Sequence, residues 1–377
     1  MDPGCNRRIV LKNSFLTILI LAILIAAIGI SSIYSSTYRK EAKPWREAWK
    51  RQLLWLIFAL LLFIAAANLS YRWLWDGTYV LYGIAVLFLL LVFILGIVRL
   101  GAQRWLRIAW FNFQPSEFAK LIVAIFMARY FSKKGREEIV LSSSGFGIVR
   151  GLIIPFLFVA FPMALVIEQP DLGSGLMIFF LFIAMLYLTR VRLKYIVGFI
   201  SAGLLLAPFL WHFLRGYQKD RLLVFLNPNI DPLGAGYTVI QSKIAIGSGG
   251  FFGKGWLSGT QSQLHFLPES HTDFIFATYA EEWGFLGCMV LFTLYYLLLR
   301  KGLEVAERTQ DYFGKLLAYG ITLLLGIQVF VNIAMNLGLA PVVGLPLPLM
   351  SYGGSSMIIT FMALGILVNI DRTRAVF

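Results

Sequence analysis

Two aspartates lie where apolar segments begin, a position that suits either helix capping or chemistry at a membrane surface. Asp273 follows LPESHT (267–272), and Asp171 lies in EQPDLGSG (168–175) at an abrupt break between two apolar segments. Either aspartate could cap the helix that follows it. Alternatively, Asp171 lies at the edge of a cavity, and Asp273 is a general base held on a rigid helix end.

Glu117 and Lys120 form a second candidate pair, in QPSEFAK (114–120) at the start of another apolar segment. Pro115 suits the first position of a helix, and Glu117 suits its positive end. Side chains three residues apart share a helix face and can form an ion pair. The pair is therefore either a local helix-stabilising contact or part of a polar site.

Basic side chains in the same predicted outward loops could bind a phosphate or pyrophosphate. They are Arg104, Arg107, Lys219, Arg221, Lys243 and Lys254. Taken singly, each could instead be a solvated side chain at the membrane surface. The glycine-rich SGGFFGKG (248–255) has the wrong spacing for a Walker A loop, and no Ser or Thr follows Lys254.

A histidine and a pair of adjacent glutamates are further polar candidates for the same site. The three histidines form no metal-binding pattern, so His271 is interpreted as a polar contact. Glu281 and Glu282 are adjacent within an apolar segment, so one of them must face the interior of a helix bundle. Ionisable residues at that depth are costly and usually functional.

Long apolar segments must position all of these residues. The 377-residue chain is 59% hydrophobic and 14% charged, whereas soluble domains carry roughly 25% charged residues. Since roughly 20 apolar residues cross a bilayer as a helix, the pattern predicts one all-α, polytopic membrane domain over 1–377 with about ten spans. The expected spans are approximately 14–34, 52–70, 78–99, 116–132, 146–167, 172–189, 194–213, 274–299, 313–338 and 354–370.

An even number of spans places both termini on one side of the membrane. A weak bias of lysine and arginine favours the cytoplasmic side, although the basic segment 39–51 works against it. Residues 214–273 would then form a long outward-facing loop between the seventh and eighth spans. The net charge of +14 is spread over loops, which predicts contacts with anionic lipids or a phosphate-bearing lipid rather than with nucleic acid.

Several motifs together resemble the SEDS family (shape, elongation, division and sporulation), over nearly the whole chain. They are GAQRW (101–105), FQPSEFAK (113–120), QPDLGSG (169–175), DPLGAGY (231–237), QSKIAIGSGG (241–250), GKGWLSGTQSQLHFLPESHTDFIFA (253–277) and PVVGLPLPLMSYGGSS (341–356). The QSKIAIGSGG and GTQSQL versions are similar to members that act in cell elongation rather than division. Relatives of that kind often have arginine directly before FQPSE; here Asn112 takes its place, which puts an anion contact there in question unless Arg107 replaces it.

The resemblance implies a glycosyltransferase of the bacterial cytoplasmic membrane. It would polymerise lipid II into glycan strands at the outer face for cell elongation and rod shape, and release undecaprenyl diphosphate. A class B penicillin-binding protein, whose transpeptidase crosslinks the product, is the implied partner. On matching positions, Asp273 would be the essential carboxylate. The supporting residues would be Glu117, Lys120 and Asp171, with Trp105 and Gln114 nearby; Arg104, Arg221, Lys243, His271 and Glu281 are the further candidates from residue type.

The expected reaction is an in-line attack by a sugar hydroxyl that inverts the donor carbon. It needs one general base, for which Asp273 is the candidate, and positive charge on the departing diphosphate. Lysine and arginine could supply that charge, or a divalent cation such as Mg²⁺ or Mn²⁺. Two alternatives remain: a lipid flippase, which needs no base, and a non-catalytic scaffold for a penicillin-binding protein.

Overall fold

Long helices form most of the fold. A computed structural model describes residues 3–38, 46–99, 102–108, 111–133, 148–189, 191, 193–232, 234 and 236–373. The helices are α1 (Pro3–Thr37), α2 (Ala48–Asn68), α3 (Arg72–Leu95), α4 (Pro115–Lys133), α5 (Ile154–Glu168, after a π-helical turn Val149–Ile153), α6 (Leu172–Leu188), α7 (Leu193–Phe213), α8 (Gly216–Leu226), α9 (Tyr237–Gly249), α10 (Thr260–Gln263), α11 (Ile275–Arg308), α12 (Tyr312–Asn336) and α13 (Gly354–Thr373).

Each predicted span overlaps one of these helices, although residues 146–147 at the start of the fifth span lie outside the described residues. In the part of the chain that the structure describes, seven helical segments are long and apolar enough to cross a membrane, in α1, α2, α3, α5 with its π-helical turn, α11, α12 and α13. α6 and residues Leu193–Phe209 of α7 are shorter apolar helices. A multi-pass membrane protein is therefore confirmed, whereas the number of about ten crossings stays a prediction.

The bundle exposes apolar side chains on its outside, as a lipid environment allows. Leu205 of α7 is 82% exposed and Ile94 of α3 is 77% exposed, which would be unfavourable in water. The polar side chains Asn332 and Asn336 of α12 are instead fully buried. α12 lies at the centre and packs against α4, α6, α9, α11 and α13.

The fold is mostly helical, as expected, with a small antiparallel sheet between α3 and α4. Its strands are β1 (Gly96–Arg99), β2 (Ala102–Ile108) and β3 (Phe111–Phe113), in the order β1-β2-β3. The predicted third span was extended to residue 99, but the helix ends at Leu95 because Gly96 takes an extended backbone and pairs with Leu106. The apolar run through β1 concealed this change, since β-branched residues suit strands as well as membrane helices.

The long connection 214–273 contains α8, α9 and α10 and is not a simple loop. α9 packs against α11 and α12, and its Ser242 hydroxyl donates a 2.7 Å hydrogen bond to the carbonyl of Asn336. The connection is therefore held against the helices that carry the candidate site.

Candidate active site

Asp273 lies just before α11, but it does not cap the helix. The N-cap position belongs to Phe274, which makes no side-chain cap hydrogen bond. The carboxylate of Asp273 accepts no hydrogen bond from the described residues, and its Oδ2 faces Gly344. The neighbouring hydroxyl of Thr272 is engaged by Glu269, through Oε2 at 2.9 Å. The interpretation of Asp273 as a helix cap is therefore wrong, and its carboxylate is available for other chemistry.

Two buried asparagines of α12 hold the backbone of Asp273. The side-chain amides of Asn332 and Asn336 each donate a 3.0 Å hydrogen bond to the Asp273 carbonyl. Asn332 also bonds the carbonyl of Leu345 at 2.6 Å, and Asn336 accepts from the amide of Ala277 at 3.2 Å. These contacts fix the start of α11 relative to α12 and to the segment after it. Sequence reasoning missed both asparagines, although two amides one helical turn apart in an apolar span are a signal of interhelical bonding.

Nearby charges and burial set the acidity of Asp273. Burial raises the pKa of Asp273 to about 6, and Glu269 adds to this rise, while Arg221 and Arg104 oppose it. A carboxyl group with a pKa near 6 is ionised at neutral pH but retains more affinity for a proton than an exposed aspartate. That combination suits a general base. Glu269 was not among the predicted site residues, although it lies within the quoted LPESHT motif.

Asp171 serves as a helix cap and as part of a polar cluster. Its Oδ1 accepts a 3.2 Å hydrogen bond from the amide of Ser174, which caps α6, and lies 4.0 Å from Nη1 of Arg104. Its Oδ2 accepts from Ser116 Oγ at 3.0 Å and from Gln114 Nε2 at 3.5 Å. The structure thus brings Asp171, Arg104 and Gln114 together, as expected of residues of one site.

Arg104 and Arg221 provide positive charge beside the two aspartates. Burial lowers the pKa of Arg221, and the charge of Arg104 lowers it further, while Asp273 opposes the change. Arg104 donates to the carbonyl of Pro170, but its Nε and the Nη1 of Arg221 have no hydrogen-bond partner in the described part of the chain. Two guanidinium groups with unused donors are well suited to an anion such as a diphosphate.

A small pocket adjoins Arg221. It is lined by Arg221 and Val224 of α8, Val239 of α9, and Gly338 after α12. The exposed side chain of Lys243 lies against Gly338. Lys243 is thus a neighbour of this pocket and adds a second cation near it.

Glu117 and Lys120 form the ion pair that their spacing predicts. Glu117 Oε1 and Lys120 Nζ are 2.8 Å apart, and the two side chains are 4% and 1% exposed. Among the described residues, this pair makes no hydrogen bond or ion pair with Asp171 or Asp273. The pair lies one residue beyond Ser116, which bonds Asp171. Its direct effect is on the start of α4.

Glu281 belongs to a separate buried cluster that fixes the glycine-rich segment. It accepts hydrogen bonds from Lys254 Nζ at 2.7 Å, Thr260 Oγ1 at 2.9 Å and the amide of Gln261 at 3.1 Å. The backbone of 250–255 bonds into a break in α11 at Gly284, whose φ is 63°. The glycines therefore allow close backbone approach here, and both adjacent glutamates, not one, are buried.

Local contacts hold three further residues that the sequence singles out. His271 is buried, its carbonyl accepts from the amide of Tyr352 at 2.9 Å, and its ring lies 5.8 Å from the Tyr352 ring. Trp105 is half-buried in β2, opposite Ile97 of β1. Asn112, which stands where an arginine was expected, lies directly opposite Arg107 in the ladder between β2 and β3. An exposed cation thus occupies the neighbouring strand position.

These features define a multi-pass membrane protein with aspartate and arginine side chains grouped near the start of α11. The family model of the FtsW/RodA/SpoVE cell cycle proteins matches residues 13–376. Peptidoglycan glycosyltransferase MrdB of Escherichia coli (strain K12) is 43% identical over 326 residues, or 86% of each chain. The probable peptidoglycan glycosyltransferase FtsW of Geobacter metallireducens is 39% identical over 364 residues, or 94% of each chain.

Solved structures have the same fold. One similar chain comes from a structure described as the structural coordination of polymerization and crosslinking by a peptidoglycan synthase complex. It has a TM-score of 0.78 and 35% sequence identity, and the match covers 95% of this chain and 97% of that one. The rod shape determining protein RodA of Thermus thermophilus has a TM-score of 0.68 and 29% identity over 95% of this chain and 96% of its own. The chain belongs to the FtsW/RodA/SpoVE family of cell cycle proteins.

Proposed function

We propose that this chain is a peptidoglycan glycosyltransferase that polymerises lipid II into glycan strands. The observation that carries the proposal is the carboxylate of Asp273, which caps no helix and lies beside Arg104 and Arg221. Each of these guanidinium groups has an N–H donor without a hydrogen-bond partner among the described residues. The names of the relatives support the reaction class, and the motifs of the elongation-type members favour a role in cell elongation and rod shape. The proposed location is the bacterial cytoplasmic membrane, with both termini cytoplasmic and the site at the outer face.

Asp273 acts as the general base. It takes the proton of the acceptor sugar hydroxyl while that oxygen attacks the anomeric carbon of the donor, and later releases the proton to solvent. The new carbon–oxygen bond forms as the bond from that carbon to the diphosphate oxygen breaks, so the donor carbon inverts. Diphosphate is a good leaving group and needs no protonating acid, which explains why one carboxylate is enough.

Arg104 and Arg221 stabilise the negative charge that develops on the departing diphosphate. Positive groups fixed before the reaction stabilise the transition state without having to reorganise. Asp171 positions Arg104 through their 4.0 Å contact, and Gln114 holds Asp171 in turn. Lys243 extends the positive surface toward the pocket beside Arg221.

A divalent cation, Mg²⁺ or Mn²⁺, is the other source of positive charge. Within the described ranges, no three side chains of His, Cys, Asp or Glu are grouped so that they could hold a metal ion. These side chains therefore do not form a resident metal site, whereas an ion held by one or two carboxylates together with the substrate diphosphate stays a proposal. The steps given above use the two arginines.

The proposed partner is a class B penicillin-binding protein that crosslinks the new strands. The similarity to a chain of a peptidoglycan synthase complex that coordinates polymerization and crosslinking supports this assignment. A non-catalytic scaffold for the same partner is the alternative that the carboxylate and the arginines argue against, because a scaffold needs neither group.

The test compares purified wild-type protein with Asp273→Asn in a lipid II polymerisation assay, with and without the partner. The conservative change keeps the shape of the side chain but removes the base, so glycan synthesis should fall to background while the protein folds normally. Asp220→Asn alters an exposed aspartate of α8 and is the matched control. Polymer formation by Asp273→Asn would refute the assignment of the base, and a wild-type protein that moves lipid II across vesicles without consuming it would favour a flippase.

A further inference from the structure

Three basic side chains surround one carboxylate near the end of α11. Lys301 Nζ lies 2.7 Å from Glu304 Oε2, Arg300 Nε lies 3.3 Å from Glu304 Oε1, and Arg308 Nη2 lies 3.9 Å from Oε2. One negative charge thus faces three positive charges, so the cluster is cationic. Because Arg300 meets Glu304 through Nε, its two terminal amino groups are available to another acceptor.

This basic cluster lies at the opposite end of the bundle from Asp273. α1 runs beside α11 without a break, and from Ser35 at the level of Glu282 to Thr17 at the level of Arg300 it advances by about 27 Å at 1.5 Å per residue. The hydrocarbon core of a bilayer is about 30 Å thick, so the cluster reaches the headgroups of the other leaflet. α1 runs antiparallel to α11: Ser35 donates to Glu282 near the Asp273 end, and Thr17 lies beside Arg300 at the basic end.

A cavity between α1 and α11 is lined by the basic cluster on one side and by leucine side chains on the other. It measures about 270 Å³ and is lined by Thr17, Leu21, Leu297, Arg300, Lys301 and Glu304. Leu21 and Leu297 lie on the membrane side of the polar lining residues, because they are about one turn nearer the middle of their spans. The cavity therefore offers apolar contact at membrane depth and cations at the surface.

We propose that this cavity binds one anionic phospholipid of the leaflet opposite the catalytic site. The headgroup phosphate pairs with Arg300 and Lys301, and the upper part of one acyl chain lies against Leu21 and Leu297. A soluble anion would use the cations but gain nothing from the leucines. A zwitterionic lipid would bring its own cation into a site that is already positive, so it would bind less well.

Glu304 competes with the lipid phosphate for the same three cations. Removing its charge should therefore strengthen lipid binding, whereas removing the cations should weaken it. Opposite effects from adjacent residues of one cluster are not expected if the cluster only stabilises the helix.

The experiment measures binding of phosphatidylglycerol to the purified full-length protein by native mass spectrometry, with phosphatidylcholine and inorganic phosphate as separate probes. A basic residue near an anionic surface contributes about a fivefold change in affinity, so Arg300→Gln with Lys301→Gln should raise the apparent Kd for phosphatidylglycerol roughly 30-fold. Glu304→Gln should lower it. The matched control, Lys50→Gln with Arg51→Gln, removes two adjacent exposed cations at the start of α2.

Support requires three results together: weaker binding in the Arg300/Lys301 variant, near wild-type binding in the control, and tighter binding in Glu304→Gln. Equal losses in the control and the Arg300/Lys301 variant would overturn the proposal, since nonspecific surface charge would then explain binding. Equal affinity of the wild type for phosphatidylcholine would also overturn it, as would full displacement of phosphatidylglycerol by inorganic phosphate.

Discussion

Asn336 donates a hydrogen bond from its side-chain amide to the backbone carbonyl of Asp273 at 3.0 Å. The contact joins the end of α12 to the start of α11 and fixes the residue that bears the proposed base. Asn332 makes the same bond from one turn earlier. The backbone position of Asp273 is therefore set by a different helix from the one that it precedes.

Asn336→Ala should reduce polymerisation without abolishing it. The variant removes one donor to Asp273 and the acceptor for the Ala277 amide, and small displacements of a reacting group can cost up to about 100-fold in rate. We expect a fall in kcat of roughly 10-fold to 100-fold, together with a shifted acidic limb of the pH–rate profile. The control is Asn68→Ala, which removes an exposed amide bonded to the Ile64 carbonyl in α2. Equal losses in both variants would contradict a positioning role.

The rate of polymerisation should fall as the pH is lowered through about 6, the pKa of Asp273. Protonation below that pH removes the base, so activity is present above the pKa and lost beneath it. Because the charge of Glu269 raises the pKa of Asp273, Glu269→Gln should move the acidic limb to lower pH. The measurement is kcat/KM for lipid II against pH. A limb that moves upward in Glu269→Gln would be inconsistent with this electrostatic arrangement.

The sequence placed the carboxylates correctly at helix starts, because Pro170 and the motif before Asp273 break apolar runs in a recognisable way. It could not decide which aspartate is a cap, since capping depends on the backbone angles and neighbours of the folded chain. Asp171 accepts a hydrogen bond from the Ser174 amide and so caps its helix, whereas Asp273 caps no helix.

The sequence also could not predict contacts between residues that are far apart along the chain. Asn332 and Asn336 bond Asp273 although they lie 59 and 63 residues further along the chain. The periodicity of apolar residues indicates which face of a helix is buried, but it does not indicate which distant residue that face contacts. The apolar character of β1 likewise extended the predicted third span beyond Leu95. By contrast, the ion pair of Glu117 and Lys120 was predictable because helix geometry alone determines it.

Arg221→Gln and Arg104→Gln should each weaken use of the donor lipid. Each removes a cation with an unused donor beside the aspartates, and a hydrogen bond to a charged group contributes roughly 1.5–3 kcal/mol. We expect kcat/KM to fall about 10-fold to 100-fold, and Arg221→Lys to recover only part of it. Arg215→Gln is the control, because that exposed side chain pairs with Glu168 at 2.5 Å. If the arginine variants lose activity only in proportion to a loss of thermal stability in detergent, a role in catalysis would be contradicted.

The buried pair of Glu117 and Lys120 allows its structural and catalytic roles to be separated. Lys120→Met leaves an unpaired carboxylate at a 4% exposed position, and breaking a buried pair in this way costs about 3–5 kcal/mol. The double variant Glu117→Gln with Lys120→Met removes both charges, so its thermal stability in detergent should return toward the wild-type value. If the pair only supports the start of α4, polymerisation should recover in parallel with stability. A stable double variant that makes no glycan would instead place the pair in the catalytic site beside Ser116 and Asp171.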